Sequence, residues 1–507
     1  MSDATSPPAS SVPAPAQASA SGAPAGESDD AVVAVVSLYQ KQRKIYARAV
    51  TGLFATWRWS LVWFTQLLFY GLPWLSWNDR QLVLFDLGAR RFYIGPLVLY
   101  PQDFIYLTAI LIISAYALFL FTAVAGRLWC GYACPQTVYT EMFMWVERKI
   151  EGDRIARMRL DEGPWNLGKL WRKGAKQLAW VLIALWTGFT FVGYFTPIKT
   201  LAAAAVSLGF GPWEWFWVLF YGLATYGNAG FLREQVCKYM CPYARFQSAM
   251  FDKDTLIISY DAERGEPRGS RSKKADPAKL GLGSCIDCGL CVQVCPTGID
   301  IRNGLQNECI GCAACIDVCD DVMDKMGYAP GLIRYATGHG MAEGLNRSQM
   351  LRRVLRPRVW IYGALLLAAA AAFVASLAGR APLQVDILKD RGALARVVDD
   401  GVVENVYRLQ VANRREDAQR LSLQVDGPPG LRLAADTPAR DLALPGAGRA
   451  QWVLHLHLPP EAAQGLRGQA VPVRLHLAVR PDGAAPTSIA TPAAAEVVEK
   501  TTFYVPR

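Results

Sequence analysis

Twelve cysteines, all between residues 130 and 319 of a 507-residue chain, constrain this sequence more than any other feature. Eight of them fall in two runs of one spacing: Cys285-x2-Cys288-x2-Cys291-x3-Cys295-Pro296 and, after thirteen intervening residues, Cys309-x2-Cys312-x2-Cys315-x3-Cys319. A disulfide framework belongs to short, cysteine-dense chains in oxidising compartments, and this long chain with clustered cysteines is neither. The spacing instead suits a cubane iron-sulfur cluster, with three thiolates around one face and the fourth sent to a neighbouring cluster. A zinc ribbon also uses four cysteines but not in this rhythm. Asp320 stands where a proline would follow the last cysteine, which alters a turn rather than a ligand.

The remaining four make two matching pairs, Cys130-Gly-Tyr-Ala-Cys134-Pro135 and Cys237-Lys-Tyr-Met-Cys241-Pro242. Each follows a two-span hairpin by about five residues, so the pattern reads as an internal duplication. The proline after each second cysteine forbids an interior helical hydrogen bond, predicting a helix break or the first turn of a new helix. If the pairs face one another they offer four soft thiolates, suited to Cu(I), zinc or a further iron-sulfur centre, with Met142, Met144 and Met240 near in sequence. Two blander readings stay open: a reversible dithiol in each pair, or buried structural thiols.

At 52% apolar and 19% charged residues, the chain is too hydrophobic for an ordinary soluble protein of its length. Five segments are long and uncharged enough to cross a bilayer: Trp59 to Trp77, Phe104 to Ala125, Leu178 to Ile198, Trp215 to Leu232 and Val359 to Gly379. Tryptophans at their edges fit the headgroup level. Five basic residues lie in 39–58 and ten between Arg127 and Lys176, against three between the first two spans and only Lys199 between the next two. The positive-inside rule therefore predicts that the N-terminus, residues 126–177 and residues 233–358 are cytoplasmic, with 380–507 outside. The net charge of +10 records this topology rather than nucleic-acid binding.

The expected fold is thus a multidomain membrane protein. Residues 1–38, rich in Ala, Ser, Pro and Gly, read as a disordered tail. Residues 39–260 form a four-span membrane domain bearing both CxxxCP motifs, 261–358 a cytoplasmic α+β ferredoxin domain with two clusters, and 359–379 a fifth transmembrane helix. Within 380–507, runs such as 402–411, 452–458 and 471–477 alternate with period two between Gly/Pro clusters. They predict an all-β immunoglobulin-like sandwich, for partner binding or mere structure.

What is missing also narrows the chemistry. The four histidines, His339, His455, His457 and His476, lie outside every span, which excludes a bis-imidazole membrane haem. No Cys-x-x-Cys-His haem attachment, phosphate loop or dinucleotide fingerprint is visible, so electrons must come from a partner protein or a quinone. His455 and His457 share a strand face and read as ordinary surface polar groups before copper ligands. Gln66 and Asn228 read as helix-packing amides. Asp317, Asp320, Asp321 and Asp324 read as a solvated helix face before a cation landing site, and the basic stretch from Arg264 to Lys279 as a linker beside anionic lipid.

The tandem cysteine runs resemble a bacterial two-cluster ferredoxin. That resemblance implies that Cys285, Cys288, Cys291 and Cys319 hold one [4Fe-4S] cluster, and Cys309, Cys312, Cys315 and Cys295 the other. A wider likeness covers nearly everything from residue 39 onward. Arg80-Gln81-Leu82-Val83-Leu84-Phe85-Asp86, Pro101-Gln102-Asp103, the stretch from Gly126 to Val138, Cys285 to Asp300 and Gly331-Leu332-Ile333-Arg334-Tyr335 resemble the CcoG/FixG cytochrome c oxidase accessory proteins. The likeness implies a multi-pass protein of the bacterial inner membrane that reduces Cu(II) to Cu(I) for assembly of a cbb3-type oxidase. Cys130, Cys134, Cys237 and Cys241 would then be the copper or redox site, and the oxidase or its copper-delivery proteins the partners, with the electron donor unnamed. Two alternatives are an electron-transfer subunit feeding another membrane enzyme, and an assembly scaffold whose clusters sense redox state.

Overall fold

The computed structural model describes residues 44–390, 392, 394–435, 437, 442–480 and 496–507, and residues Ile45–Arg507 form one unit. The expected tail at 1–38 lies outside the described residues.

Three helices among the described residues are long and apolar enough to cross a membrane: Pro101–Ala125, Leu167–Val192 and Pro357–Ala378. They overlap the second, third and fifth expected segments, although Leu167–Val192 begins and ends earlier than the expected Leu178 to Ile198, stopping before a turn that leads to a new helix from Ile198. The first expected segment is a 19-residue helix, Leu53–Gly71, which starts earlier than the hydropathy pattern suggests and stops before Pro73. Its lost length goes into the hairpin Ser76–Trp77/Arg80–Gln81. The fourth is a 14-residue α-helix, Pro212–Thr225, prolonged by a π-helical stretch Tyr226–Leu232. The helices associate in pairs, Phe104–Ala125 with Pro357–Ala378 and Leu167–Val192 with Pro212–Thr225. Gly188 permits the second pairing, since a Cβ there would lie 2.3 Å from the Val218 carbonyl oxygen.

One end of the helices is covered by β structure. A three-stranded antiparallel sheet (Val83–Asp86, Arg91–Ile94, Leu97–Leu99) packs Leu84, Tyr93 and Val98 with Tyr100 against Ala412 of the C-terminal domain. Gln81 ties this layer to the turn after Leu167–Val192, donating to Gly193 O at 2.7 Å and accepting from Ile198 N at 2.9 Å. The C-terminal domain is a two-sheet sandwich, as its alternating pattern predicts. One sheet runs Arg432–Leu433, Arg449–Leu458, Val403–Asn413, Leu383–Lys389, and the other Leu442–Leu444, Gln419–Asp426, Ala470–Arg480, Glu496–Tyr504. Leu409, Leu421, Leu454, Leu456, Leu475, Leu477 and Phe503 fill the space between them. Asp103, at the start of a long helix, receives Arg414 at 2.7 Å and also pairs with Arg380, so the sandwich is clamped to the helix end.

The cysteine-rich module sits at the other end. Strands Ile257–Tyr260 and Ile333–Ala336 pair antiparallel and bracket it, and its main helix is Ala314–Met326. Asp317 on that helix caps Leu53–Gly71, accepting from Phe54 N at 3.1 Å and Ala55 N at 2.7 Å. One of the four acids read as a solvated face is therefore a buried cap. Of the others, Asp320 accepts from Gly331 N at 2.7 Å and Asp321 pairs with Lys325.

Candidate redox site

The two cysteine runs fold alike because the same positions in each adopt left-handed backbone. Asp287 and Gly289 flank Cys288 at φ 51° and 64°, and Gly311 and Ala313 flank Cys312 at 70° and 59°. These reversals turn the chain around the sulfurs, a conformation glycine reaches without strain. The result is two small cavities. One is lined by Cys285, Cys288, Cys291 and Cys319, the other by Cys295, Cys309, Cys312 and Cys315, with Cys291 lining both. The fourth cysteine of each run thus joins the other run's first three, the exchange the spacing implies. Neither cavity has a carboxylate or imidazole in its lining, so the donor set is the all-thiol one that iron-sulfur clusters take. Burial pushes the Cys291 thiol up to about 11 and those of Cys309 and Cys319 up to about 12, so cofactor loading must release protons.

The paired motifs are also structural repeats. Gly126 and Arg233, each four residues before a first cysteine, both end a helix with positive φ, 55° and 39°. Cys134 N donates to Trp129 O at 3.0 Å and Cys241 N to Val236 O at 2.8 Å, the same wide turn in each copy. Cys134 and Cys241 are then extended, and Pro135 and Pro242 open the helices Pro135–Glu151 and Pro242–Met250, as the prolines predict. The two pairs converge. Burial raises Cys130 to about 11 and Cys237 to about 12, and each of these thiols is raised further by Cys134 and Cys241 nearby. Among the described residues, no three Cys, His, Asp or Glu side chains are drawn in tightly enough to chelate a single ion, and this holds for the ferredoxin cysteines as well as these four.

The paired cysteines abut the second cysteine run. Cys130 and Cys237 pack against the cluster of Val294, Ile310, Cys312, Ala314 and Val318. Gly131 leaves room for Cys312, and Gly311 for Arg127. A third cavity, lined by Glu141, Met144, Arg233, Glu234, Cys237 and Cys312 among others, lies along this seam. Of the candidate thioethers, Met144 reaches that cavity while Met240 is largely exposed.

Sequence reasoning missed three residues here. Gln247, fully buried, contacts Cys130 Sγ at 3.5 Å through its amide nitrogen. Arg58, counted only as a topology signal, is buried and donates to Cys312 O at 3.3 Å. Tyr335 donates to Gly311 O at 2.7 Å. Arg58 and Tyr335 fall within or beside recognisable stretches, but nothing in the sequence marks Gln247. His455 and His457 in the sandwich both turn to Glu404, which also takes Arg396 at 2.6 Å.

Comparison with known families agrees with this division. A family described as "4Fe-4S dicluster domain" matches residues 232–338, one described as "4Fe-4S binding domain" matches 107–152, and "IG-like fold at C-terminal of FixG" matches 373–506. The Nitrogen fixation protein FixG of Rhizobium meliloti is 39% identical over 77% of this chain and 81% of its own length. Protein RdxA of Cereibacter sphaeroides is 38% identical over 87% of this chain and 94% of its own, and Protein RdxB of the same organism 39% identical over 81% and 87%.

Proposed function

The chain belongs to the FixG family of membrane-associated, iron-sulfur electron-transfer proteins, and from that premise we propose that it is a cupric reductase serving assembly of a cbb3-type cytochrome oxidase. The observation that carries the reading is the convergence of Cys130, Cys134, Cys237 and Cys241, with Cys130 and Cys237 packed directly against the cluster that contains Cys312.

In this reading Cys285, Cys288, Cys291 and Cys319 hold one [4Fe-4S] cluster, and Cys295, Cys309, Cys312 and Cys315 the other. When bound, such clusters supply single electrons. The chain's own contribution is to exclude water from their cavities and to hold the paired thiols beside them. Copper arrives as substrate. Thiolates prefer Cu(I) to Cu(II), so binding at the pairs makes the bound ion easier to reduce. Glu141 and Glu234 at the adjoining cavity suit the harder Cu(II) ion, and Met144 and Cys237 the softer product.

The proposed setting is five membrane spans, with Leu53–Gly71 and the Pro212–Leu232 segment added to the three longest helices, the cysteine module cytoplasmic and the sandwich periplasmic. The largely exposed Trp63, Phe64, Leu67, Phe216, Leu219 and Leu223 on the two shorter helices support this count.

The test is purified, chemically reduced protein offered Cu(II) without oxygen. Cluster reoxidation coupled to appearance of chelatable Cu(I), lost in Cys134→Ser and Cys241→Ser variants with full iron content at the ferredoxin sites, is expected. Unchanged Cu(I) production in those variants would remove the pairs from the reaction. Absence of Cu(I) with the wild type would leave the second reading, an electron-transfer subunit serving a partner membrane enzyme, which the direct abutment of the pairs on the cluster loop also favours.

A further inference from the structure

The two cavities made by the cysteine runs are alike in donors and unlike in charge. In the lining of the first the cationic side chain is Arg302, and two carboxylates offset it, Asp300 at 2.7 Å and Asp287. Burial pushes the Cys291 thiol up, and the opposing pull of Arg302 is answered by Asp300. The Cys319 thiol is raised by burial, by Cys291 and then by Asp320. Cys288 of this set is exposed to water, whereas no cysteine of the second set is.

The second cavity receives its cations from outside the cysteine module. Arg58, on Leu53–Gly71, is buried and donates from Nη1 to Cys312 O at 3.3 Å, while its Nε has no partner. Arg127 is equally buried and donates to Asn307 O, two residues before Cys309, and to Ala244 O. Gly311, between Cys309 and Cys312, lies against the Arg127 backbone, its Cβ position 3.0 Å from Arg127 O. Among the described residues neither guanidinium forms an ion pair; their partners are carbonyl oxygens. The acids nearby are engaged elsewhere, Glu141 with Arg148 at 3.7 Å and Asp317 with the amides of Phe54 and Ala55. Burial raises the Cys312 thiol, and Arg58 is the strongest influence against it. A buried charge without a counter-ion is costly, so two of them against one loop call for a role.

We propose that Arg58 and Arg127 set the direction of electron flow, by making the second cluster the easier of the two to reduce. A reduced cluster carries one more negative charge than an oxidised one. Burial among apolar groups resists that charge and exposure to water tolerates it, so burial alone would leave the electron on the first cluster, beside Cys288. Two uncompensated guanidinium groups against the second loop reverse the order. A nearby cation favours the added charge, and salt screens the pair little where both are buried. One electron then passes from the first cluster, which is oxidised, to the second, which is reduced. It ends beside Cys130 and Cys237, which pack on the same buried patch as Cys312. The inference rests on the two-cluster part of the reading above and not on copper.

The test is an anaerobic potentiometric titration of the full-length, cluster-loaded protein, followed by EPR. Two midpoints are expected, the higher belonging to the second cluster. Arg58→Gln keeps a hydrogen-bond donor and removes the charge. It is expected to shift the partition of the electron away from the second cluster about tenfold, which is about 59 mV for one electron, with the other midpoint unmoved. Arg58→Lys, which keeps the charge, is expected to restore most of that shift. Asp300→Asn acts at the first cavity and is expected to raise only the lower midpoint, which assigns the two signals. Should Arg58→Gln fail to load iron, Arg127→Gln and Arg127→Lys make the same comparison. A second cluster with the lower midpoint in the wild type would overturn the proposal. Equal shifts from the Gln and Lys variants would also overturn it, by reducing the arginines to supports of the loop. Because none of these readouts involves copper, failure here leaves the reductase reading standing, and absence of Cu(I) leaves the order of the midpoints intact.

Discussion

Gly131 and Cys312 meet backbone to backbone: a Cβ on Gly131 would lie 2.8 Å from both the nitrogen and the Cα of Cys312. The first paired motif and the second cysteine run are therefore fitted to each other at a point where no side chain can be inserted. Gly131→Val is expected to destabilise the protein by about 1–3 kcal/mol, the range for forced overpacking. A lowered midpoint for loss of the visible cluster absorbance on heating checks it, with Tyr132→Phe, which adds no volume, as the neutral control.

The Asp317 cap predicts a second effect. Asp317→Ala removes the acceptor of two backbone amides at the start of Leu53–Gly71, which is expected to cost about 1–2 kcal/mol. Faster proteolytic cleavage between residues 45 and 55, with iron content retained, is the readout. Asp317→Asn, which keeps one acceptor oxygen, should fall between the two.

At the opposite end, Asp103 faces Arg380 and Arg414, and all three side chains are largely removed from water. Asp103→Ala leaves two guanidinium groups without their anion, and breaking a buried pair from one side costs about 3–5 kcal/mol. The sandwich is expected to remain folded but to release from the helix end, seen as new protease sensitivity at residues 378–383.

The sandwich should also carry an acid-sensitive contact. The Arg396 guanidinium, with smaller help from His455, holds the Glu404 carboxyl down at about 2 against an ordinary 4.5. A depressed folded-state pKa stabilises above the unfolded value and is lost as pH falls through the folded one, so this contribution is full above about 4.5 and fades toward about 2. Amide-exchange protection of the strand Val403–Asn413, compared at about pH 6 and about pH 3, should drop in the wild type. In Glu404→Gln the drop should be smaller, from a lower starting protection.

These predictions separate what the sequence makes legible from what it hides. The cysteine spacing leads to two thiol-lined cavities, while the left-handed backbone at Asp287, Gly289, Gly311 and Ala313 that turns each run around its sulfurs is seen only in the structure. Period-two alternation leads equally directly to the strands Val403–Asn413, Arg449–Leu458 and Ala470–Arg480. Hydropathy is less decisive. It places a span at Trp59 to Trp77, yet Pro73 and the short strands that follow take the last residues away from the helix. Long-range partners leave no local trace at all. Asp317 looks like any exposed acid on an amphipathic helix until Phe54 and Ala55 arrive, and Gln247 becomes a neighbour of Cys130 only because two distant repeats fold face to face.

The cap has a consequence in time. Phe54 and the carboxylate that completes its helix are 263 residues apart in the chain. At about 5–20 residues synthesised per second, roughly 10 to 50 s separate their emergence from the ribosome. During that interval the first apolar helix has its end open, and it closes only when the cysteine-bearing helix has been made and has folded. Order of synthesis thereby turns a single hydrogen-bonding carboxylate into a checkpoint, at which the folded cysteine-bearing helix completes an apolar helix made long before it.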